Sequence, residues 1–297
     1  MKSVTVYQYD AFSKHPGKGN PAGVVFNGDT LSGQEMQEIA REAAFNETAF
    51  PVQSDKADIK IRFFTPGHEM NLCGHGTMAT IYSLKKKELI SSNNLTIETK
   101  AGLLSVRIDS PDNEELCITM QQAPPQFKPF HGSVEKLATA LGLTAEDING
   151  ELPIVYGSTG TWTLLVPISR LDAFKKMKPA TDSFPSILEA MPKVSIHPFC
   201  LETYDPDAQM HARHFSSPFS GTVEDAVTGT ASGAMGAYYA TYINNRLEKT
   251  VSLVVEQGQE IGKDGRVMVR VTKSTDNIGI EITGNAVYVK HFPVMLG

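Results

Sequence analysis

The chain has little of what marks a secreted, nucleic-acid-binding or metal-holding protein. Its 297 residues contain three cysteines, Cys73, Cys117 and Cys200. An odd, widely spaced set offers neither a disulfide framework nor a zinc site, so no metal is expected and a reducing compartment is. Lysine and arginine number 27 against 33 acidic residues, a net charge of −6. No basic stripe is left to neutralise phosphates, which excludes nucleic acid as a partner. The one run of cations, Lys85-Lys86-Lys87, is the expected solvated end of a helix, where positive charge suits the dipole. The opening residues 1–10 alternate like a strand and lack a signal-peptide core, so a cytoplasmic location is expected. P-loop, H-E-x-x-H, C-x-x-C and G-x-S-x-G patterns are all missing. Gly17-Lys-Gly19-Asn20-Pro21-Ala22 fits G-x-G-x-x-A. However, Pro21 and a strand over Val24–Phe26 follow it, where a dinucleotide site needs a helix facing the pyrophosphate. The longest uncharged stretch, 227–245, is rich in Gly, Thr, Ser and Tyr. It is expected to be a helix buried in a soluble domain, and no membrane span is expected.

What is present is one motif written twice. The first copy is Arg62-Phe-Phe-Thr-Pro66, then Glu69, then Cys73-Gly74-His75-Gly76. The second is Arg213-His-Phe-Ser-Ser-Pro218, then Glu224-Asp225, then Thr228-Gly229-Thr230-Ala231. Each copy runs into a stretch patterned as a fully buried helix. Around them lie many short strand patterns, among them Val4–Tyr9, Ile59–Phe64, Ile196–Tyr204 and Arg266–Val271. Ser32-x-x-Glu35 is a capping box that opens a helix with Met36, Ile39, Ala40 and Ala43 on one face, ending near Phe45-Asn46. Residues 123–129, with Pro124-Pro125, make the expected linker. The length suits two domains: residues 1–122, joined by 285–297, and residues 123–284. The fold class predicted is α+β, with two similar domains, each a curled mixed sheet wrapped around a central helix.

A helix start bearing glycine offers free N–H groups and a positive dipole end, and so can hold a carboxylate. Gly74 and Gly229 open two such starts. The alternative for either is close helix packing alone, but two copies in matching contexts favour the binding role. Glu47 follows a helix exit among Phe45, Ala49 and Phe50. It is either an exposed loop acid or an acid in apolar company able to exchange protons. His75 is either a hydrogen-bonded structural histidine or a participant in that exchange. Glu224-Asp225, just before a helix, fits a cap as well as a catalytic role.

Taken together these residues resemble the phenazine-biosynthesis PhzF-like family, within the diaminopimelate-epimerase fold. The resemblance is carried by Gly19-Asn20-Pro21-Ala22, Asn46-Glu47-Thr48-Ala49-Phe50, Arg62 to Glu69, Leu72 to Thr77, Glu224 to Ala231 and Gln257-Gly258. It implies a homodimer without cofactor or metal, and a substrate cleft between the halves. Its substrate is a small carboxylic acid resembling trans-2,3-dihydro-3-hydroxyanthranilate. Glu47 would move a proton between two ring carbons, assisted by His75 and Asp225. Asn20, Asn46, Cys73, Gly74, Gly229 and Thr230 would bind substrate. Thr230 and Asn46 stand where the family more often has serine. Related epimerases use two opposed cysteines. Here the positions hold Cys73 and Thr228, and a threonine hydroxyl cannot replace a thiol as acid or base. The alternatives are an amino-acid epimerase or racemase using Glu47 with Cys73, and a binding protein that kept the fold without the chemistry.

Overall fold

The computed structural model describes residues 2–110, 115–220, 222–245, 250–274 and 277–297. It divides into two compact units, Met1–Gln121 with Thr283–Gly297, and Gln122–Ile282.

The first unit begins β1 (Lys2–Ala11), β2 (Asn20–Val24), α1 (Gly33–Ala43), β3 (Thr48–Val52), β4 (Ile59–Phe64), β5 (Glu69–Met70). It continues α2 (Gly74–Lys86), β6 (Asn94–Thr99), β7 (Gly102–Asp109), β8 (Cys117–Gln121). The capping box forms as the sequence requires: Glu35 N–H donates to Ser32 Oγ at 3.2 Å, and Ser32 N–H to Glu35 Oε2 at 2.7 Å. The helix stops at Ala44, whose φ of 56° is left-handed. Met36, Ile39 and Ala40 face Val4, Val6, Phe50 and Phe64. Each large apolar side chain buried this way stabilises by about 1.5–3 kcal/mol. The α2 helix, by contrast, is covered nearly all round by β1, β2, β3 and β8. Its buried hydroxyls turn back on the helix: Thr77 Oγ1 donates to Cys73 O at 2.8 Å and Thr80 Oγ1 to Gly76 O at 2.7 Å.

The second unit holds β9 (Gln126–Pro129), α3 (Val134–Ala140), β10 (Val155–Ser158), β11 (Trp162–Pro167), α4 (Phe184–Ile187) and β12 (Ser195–Cys200). There follow β13 (Met210–Ala212), β14 (His214–Phe215), β15 (Glu224–Asp225), α5 (Gly229–Tyr238), β16 (Thr250–Gln257), β17 (Gly265–Lys273) and β18 (Ile278–Gly284), whose last two residues belong to the first unit. The last strand, β19 (Ala286–Leu296), lies antiparallel on β1.

The repeated motif is a repeated topology. In the first unit the neighbours β1-β2-β3-β4-β6-β7 pair antiparallel, parallel, antiparallel, parallel, antiparallel. In the second, β10-β11-β12-β13-β16-β17 pair in the same alternation. The α5 helix is buried against β10, β11 and β17 as α2 is against its own strands. The architecture is α+β with two like units, each a mixed sheet around a central helix. Among the described residues no helix is long and apolar enough to cross a membrane.

Three expectations shift. The second strand is Asn20–Val24, earlier than Val24–Phe26, because its pairing to β1 and β3 overrides the strand-poor look of Pro21 and Gly23. The stretch expected to link the halves contains β9, an antiparallel partner of β10. The strand expected to reach Tyr204 ends at Cys200, since the N–H groups of Tyr204 and Asp205 turn to the Glu256 carboxylate at 2.7 and 3.0 Å.

Candidate active site

Glu47 sits between α1 and β3, and its position is fixed through the backbone. Gly23 N–H donates to Glu47 O at 3.1 Å. A side chain at Gly23 would meet Phe45 and Thr48 at 2.9 Å, so glycine is needed for this approach. The Glu47 side chain is only 15% exposed. Its Oε2 is buried, accepts no hydrogen bond and lies 3.0 Å from His75 Nε2.

His75 is the second residue of α2 and is buried. On its other side Nδ1 lies 3.2 Å from Asn20 Nδ2. An amide nitrogen only donates. The Asn20 amide thus holds the ring at its Nδ1 edge and leaves Nε2 toward Glu47. Burial alone would lower the proton affinity of the ring. Cys73 and Glu47 outweigh it and lift the His75 pKa well above its ordinary value. Burial also raises the pKa of the Cys73 thiol.

Cys73 is the N-cap of α2: Gly76 N–H donates to its Sγ at 3.2 Å. Sγ also lies 3.5 Å from His75 Nδ1. Gly76 is packed against Phe63, whereas a Cβ on Gly74 would meet nothing within 4 Å. Close packing therefore explains Gly76 but not Gly74, where a side chain would have room at the helix start. Asn46 is half-buried in the turn before Glu47.

The two copies of the motif build the same support. In the first unit Arg62 grips Glu69 with two bonds, Nε–Oε1 2.8 Å and Nη2–Oε2 3.1 Å, and lies over the Phe64 ring. In the second, Arg213 grips Glu224 at 2.8 and 2.6 Å and lies over Phe215. Glu69 stands opposite Phe64, and Glu224 opposite Phe215, in their ladders. Each glutamate thus anchors a short strand that ends at a helix start. Glu224 is therefore no helix cap.

Asp225 is not a cap either. Its Oδ2 accepts from the Thr228 hydroxyl at 2.7 Å. Thr228 is the N-cap residue of α5 yet makes no side-chain cap bond. Gln257, buried, ties this corner: its Oε1 accepts from Thr228 N–H at 3.1 Å and its Nε2 donates to Asp225 O at 2.8 Å. Thr230 follows in the first turn of α5, half-buried, its carbonyl accepting from Thr159 Oγ1 at 3.1 Å. Gly229 is buried at the helix start.

Of the residues singled out in the sequence, Asn20, Glu47, Cys73 and His75 converge in the first unit. Asp225 and Thr228 converge in the second, with Gln257. Sequence reasoning gave no role to Gln257, or to the buried pair His197 and His214, whose Nδ1 atoms lie 3.0 Å apart. The recurring Arg and Glu of the doubled motif were visible signals of the paired ion bridges.

A doubled sheet-around-helix frame with an acid and an imidazole at a helix start is the architecture of the epimerase-like isomerases. The chain belongs to the phenazine biosynthesis-like (PhzC-PhzF) family, whose model matches residues 9–291. It is 52% identical to the uncharacterized isomerase YfhB of Bacillus subtilis over 97% of each chain. It is 29% identical to the trans-2,3-dihydro-3-hydroxyanthranilate isomerase of Pseudomonas aeruginosa, over 93% of this chain and 94% of that protein. The crystal structure of a PhzF-family phenazine biosynthesis protein from Bacillus anthracis matches all of both chains, with a TM-score of 0.97 and 54% identity. The fold alone extends to a hydroxyproline epimerase of Agrobacterium vitis, with a TM-score of 0.64 and 13% identity over 99% of this chain and 93% of that one. The protein is an isomerase of this family.

Proposed function

We propose that the protein moves a proton along a small unsaturated cyclic carboxylic acid related to trans-2,3-dihydro-3-hydroxyanthranilate, using Glu47 as general acid and base. The observation that carries this is the Glu47 Oε2 atom. It is buried, it accepts no hydrogen bond, and it lies 3.0 Å from His75 Nε2. A buried carboxylate oxygen without a well-formed hydrogen bond has a lone pair ready for a substrate proton. It takes a proton from one ring carbon and returns it to another. His75, steadied by Asn20, holds Glu47 in place and compensates the carboxylate charge before the first transfer and after the second. The open N–H end of α2 at Gly74 suits the substrate carboxylate. Asp225, oriented by Thr228 and Gln257, is assigned an assisting role. Asn46, Gly229 and Thr230 are assigned to substrate binding. The enzyme acts without a cofactor, as a cytoplasmic homodimer.

A Glu47/Cys73 epimerase is the weaker reading. Sγ of Cys73 is engaged as a helix cap, and burial raises its pKa. The test is a screen of small cyclic carboxylic acids in heavy water, monitored by NMR. Glu47-dependent exchange without inversion of a stereocentre supports the proposal. Exchange with inversion that Cys73→Ser abolishes overturns it in favour of the epimerase. Tight binding of an acid with no exchange leaves only a binding protein.

A further inference from the structure

Sequence spacing offered no zinc motif, but the fold assembles one from two separate segments. Glu47 comes from the turn before β3; Cys73 and His75 come from the start of α2. Glu47 Oε2 lies 3.0 Å from His75 Nε2, and Cys73 Sγ lies 3.7 Å from the same nitrogen. One ligand atom from each of the three residues falls within 4.8 Å of the others. Thiolate, imidazole and carboxylate are the ligand types zinc takes. At the usual zinc bond lengths and tetrahedral angles their atoms stand about 3.3–3.7 Å apart. The second observation is the bonding of the oxygen. Oε2 is buried and, despite its nearness to Nε2, makes no well-formed hydrogen bond, so its lone pair is not committed to the ring. A cation shared with Nε2 would use that lone pair.

We propose that Glu47, Cys73 and His75 form a three-ligand site for a thiophilic divalent cation of the zinc class, which blocks the enzyme when bound. Three protein ligands leave the fourth position open to water or to a substrate carboxylate. Binding displaces the Cys73 S–H proton to solvent and frees His75 Nε2 of its proton, which passes to Nδ1 of a neutral ring or to solvent from a doubly protonated one, with no change of oxidation state. A half-turn of the Asn20 amide presents its oxygen to His75 Nδ1–H, the usual outer partner of a metal-bound histidine. The cation ties up the lone pair assigned to proton transfer. The inhibition rests on the isomerase reading; the binding does not.

Cobalt(II) is the probe for binding. One equivalent added to the purified full-length protein should give visible bands of four-coordinate cobalt and a near-ultraviolet thiolate-to-cobalt charge-transfer band, both bleached by zinc. Cys73→Ser should abolish the charge-transfer band, while Cys117→Ser and Cys200→Ser keep it. Glu47→Gln should keep the band but weaken cobalt binding by at least about 10-fold, the scale seen even for outer-shell changes. The Glu47→Gln result decides the matter if Cys73→Ser does not fold. Absence of the band at one equivalent, its survival in Cys73→Ser, or unweakened binding in Glu47→Gln overturns the site. For inhibition, a substrate that exchanges protons is followed during zinc titration. Exchange should stop as the site fills and return with a chelator. Exchange that continues with the site occupied refutes the inhibition. A metal-free protein that exchanges no candidate substrate counts against the isomerase reading and leaves the binding result standing.

Discussion

His211 offers a test of what holds the second unit together. Its ring is fully buried. Nδ1 lies 2.9 Å from Glu256 Oε1 and Nε2 lies 3.0 Å from Glu260 Oε1. The rings of Phe174 and Tyr204 meet it edge-on. Burial alone would lower the His211 pKa, but the two carboxylates outweigh it and the pKa is raised. Burial works the other way on Glu256 and Glu260, yet the bonds from His211 prevail and lower both. The signs define a window. A raised histidine contributes stability that is fully present below its unfolded pKa of about 6.5. That contribution is lost as pH rises through the folded value. The lowered carboxylates contribute stability present above an unfolded pKa of about 4.3, and lost as pH falls through their folded values. Stability should therefore peak in mildly acidic solution. Each unit of elevation on His211 is worth about 1.4 kcal/mol. His211→Gln leaves two buried carboxylates facing a neutral amide. Removing one partner of such a cluster costs about 3–5 kcal/mol. At about 2–4 °C per kcal/mol, that is a drop of roughly 6–20 °C in the unfolding temperature of a unit this size. The assay is built in, because Trp162 is the sole tryptophan and packs on the core of this unit. Its fluorescence follows this unit through urea unfolding at a series of pH values. A loss below about 1 kcal/mol would refute the reasoning, as would an alkaline slope shared by wild type and variant, since the slope is assigned to this ring.

The doubled arginine bridges should be unequal. Arg213 is 8% exposed against 27% for Arg62, and it also donates to Phe174 O at 2.8 Å. Arg213→Ala should cost about 3–5 kcal/mol and Arg62→Ala about 1 kcal/mol or less, measured by urea unfolding; equal losses would contradict the burial argument. Cys73→Ser should fold at least as stably as the parent, since serine is a strong N-cap. It should keep activity within about 10-fold if Glu47 alone carries the proton, because each positioned acid or base is worth about 10²–10⁴ in rate. Thr228→Val should cost about 0.5–1.5 kcal/mol for the lost hydroxyl bond to Asp225, whereas Thr228→Ser should restore it.

Much of the frame was legible because it is written locally. Ser32 and Glu35 announce α1, the uninterrupted apolar and small residues of α2 and α5 announce buried helices, and the recurring Arg-x-Phe and Glu announce the twin topology. What stayed hidden depends on distant partners. The β2 strand contains Pro21 and Gly23, and only its neighbours make it a strand. The end of β12 is set by Glu256, more than fifty residues onward. Cys73 read as a substrate-binding residue, and its role as a cap appears only when Gly76 N–H is seen to point at its sulfur. Glu47 could be singled out from its apolar neighbours. That its Oε2 is unbonded and beside His75 required the fold, because the two residues meet through the start of α2. Asp225 looked like half of a capping pair until its bond to Thr228 showed the hydroxyl spent on orienting it.

The claim that Glu47 carries the proton is tested most directly by comparing wild type with Glu47→Gln on the cyclic carboxylic acid that the heavy-water screen identifies, following deuterium entry at the ring carbons. The account predicts turnover by the wild type and a loss of at least about 10²-fold in the variant, with the fold intact by circular dichroism. Turnover by Glu47→Gln at the wild-type rate would contradict it.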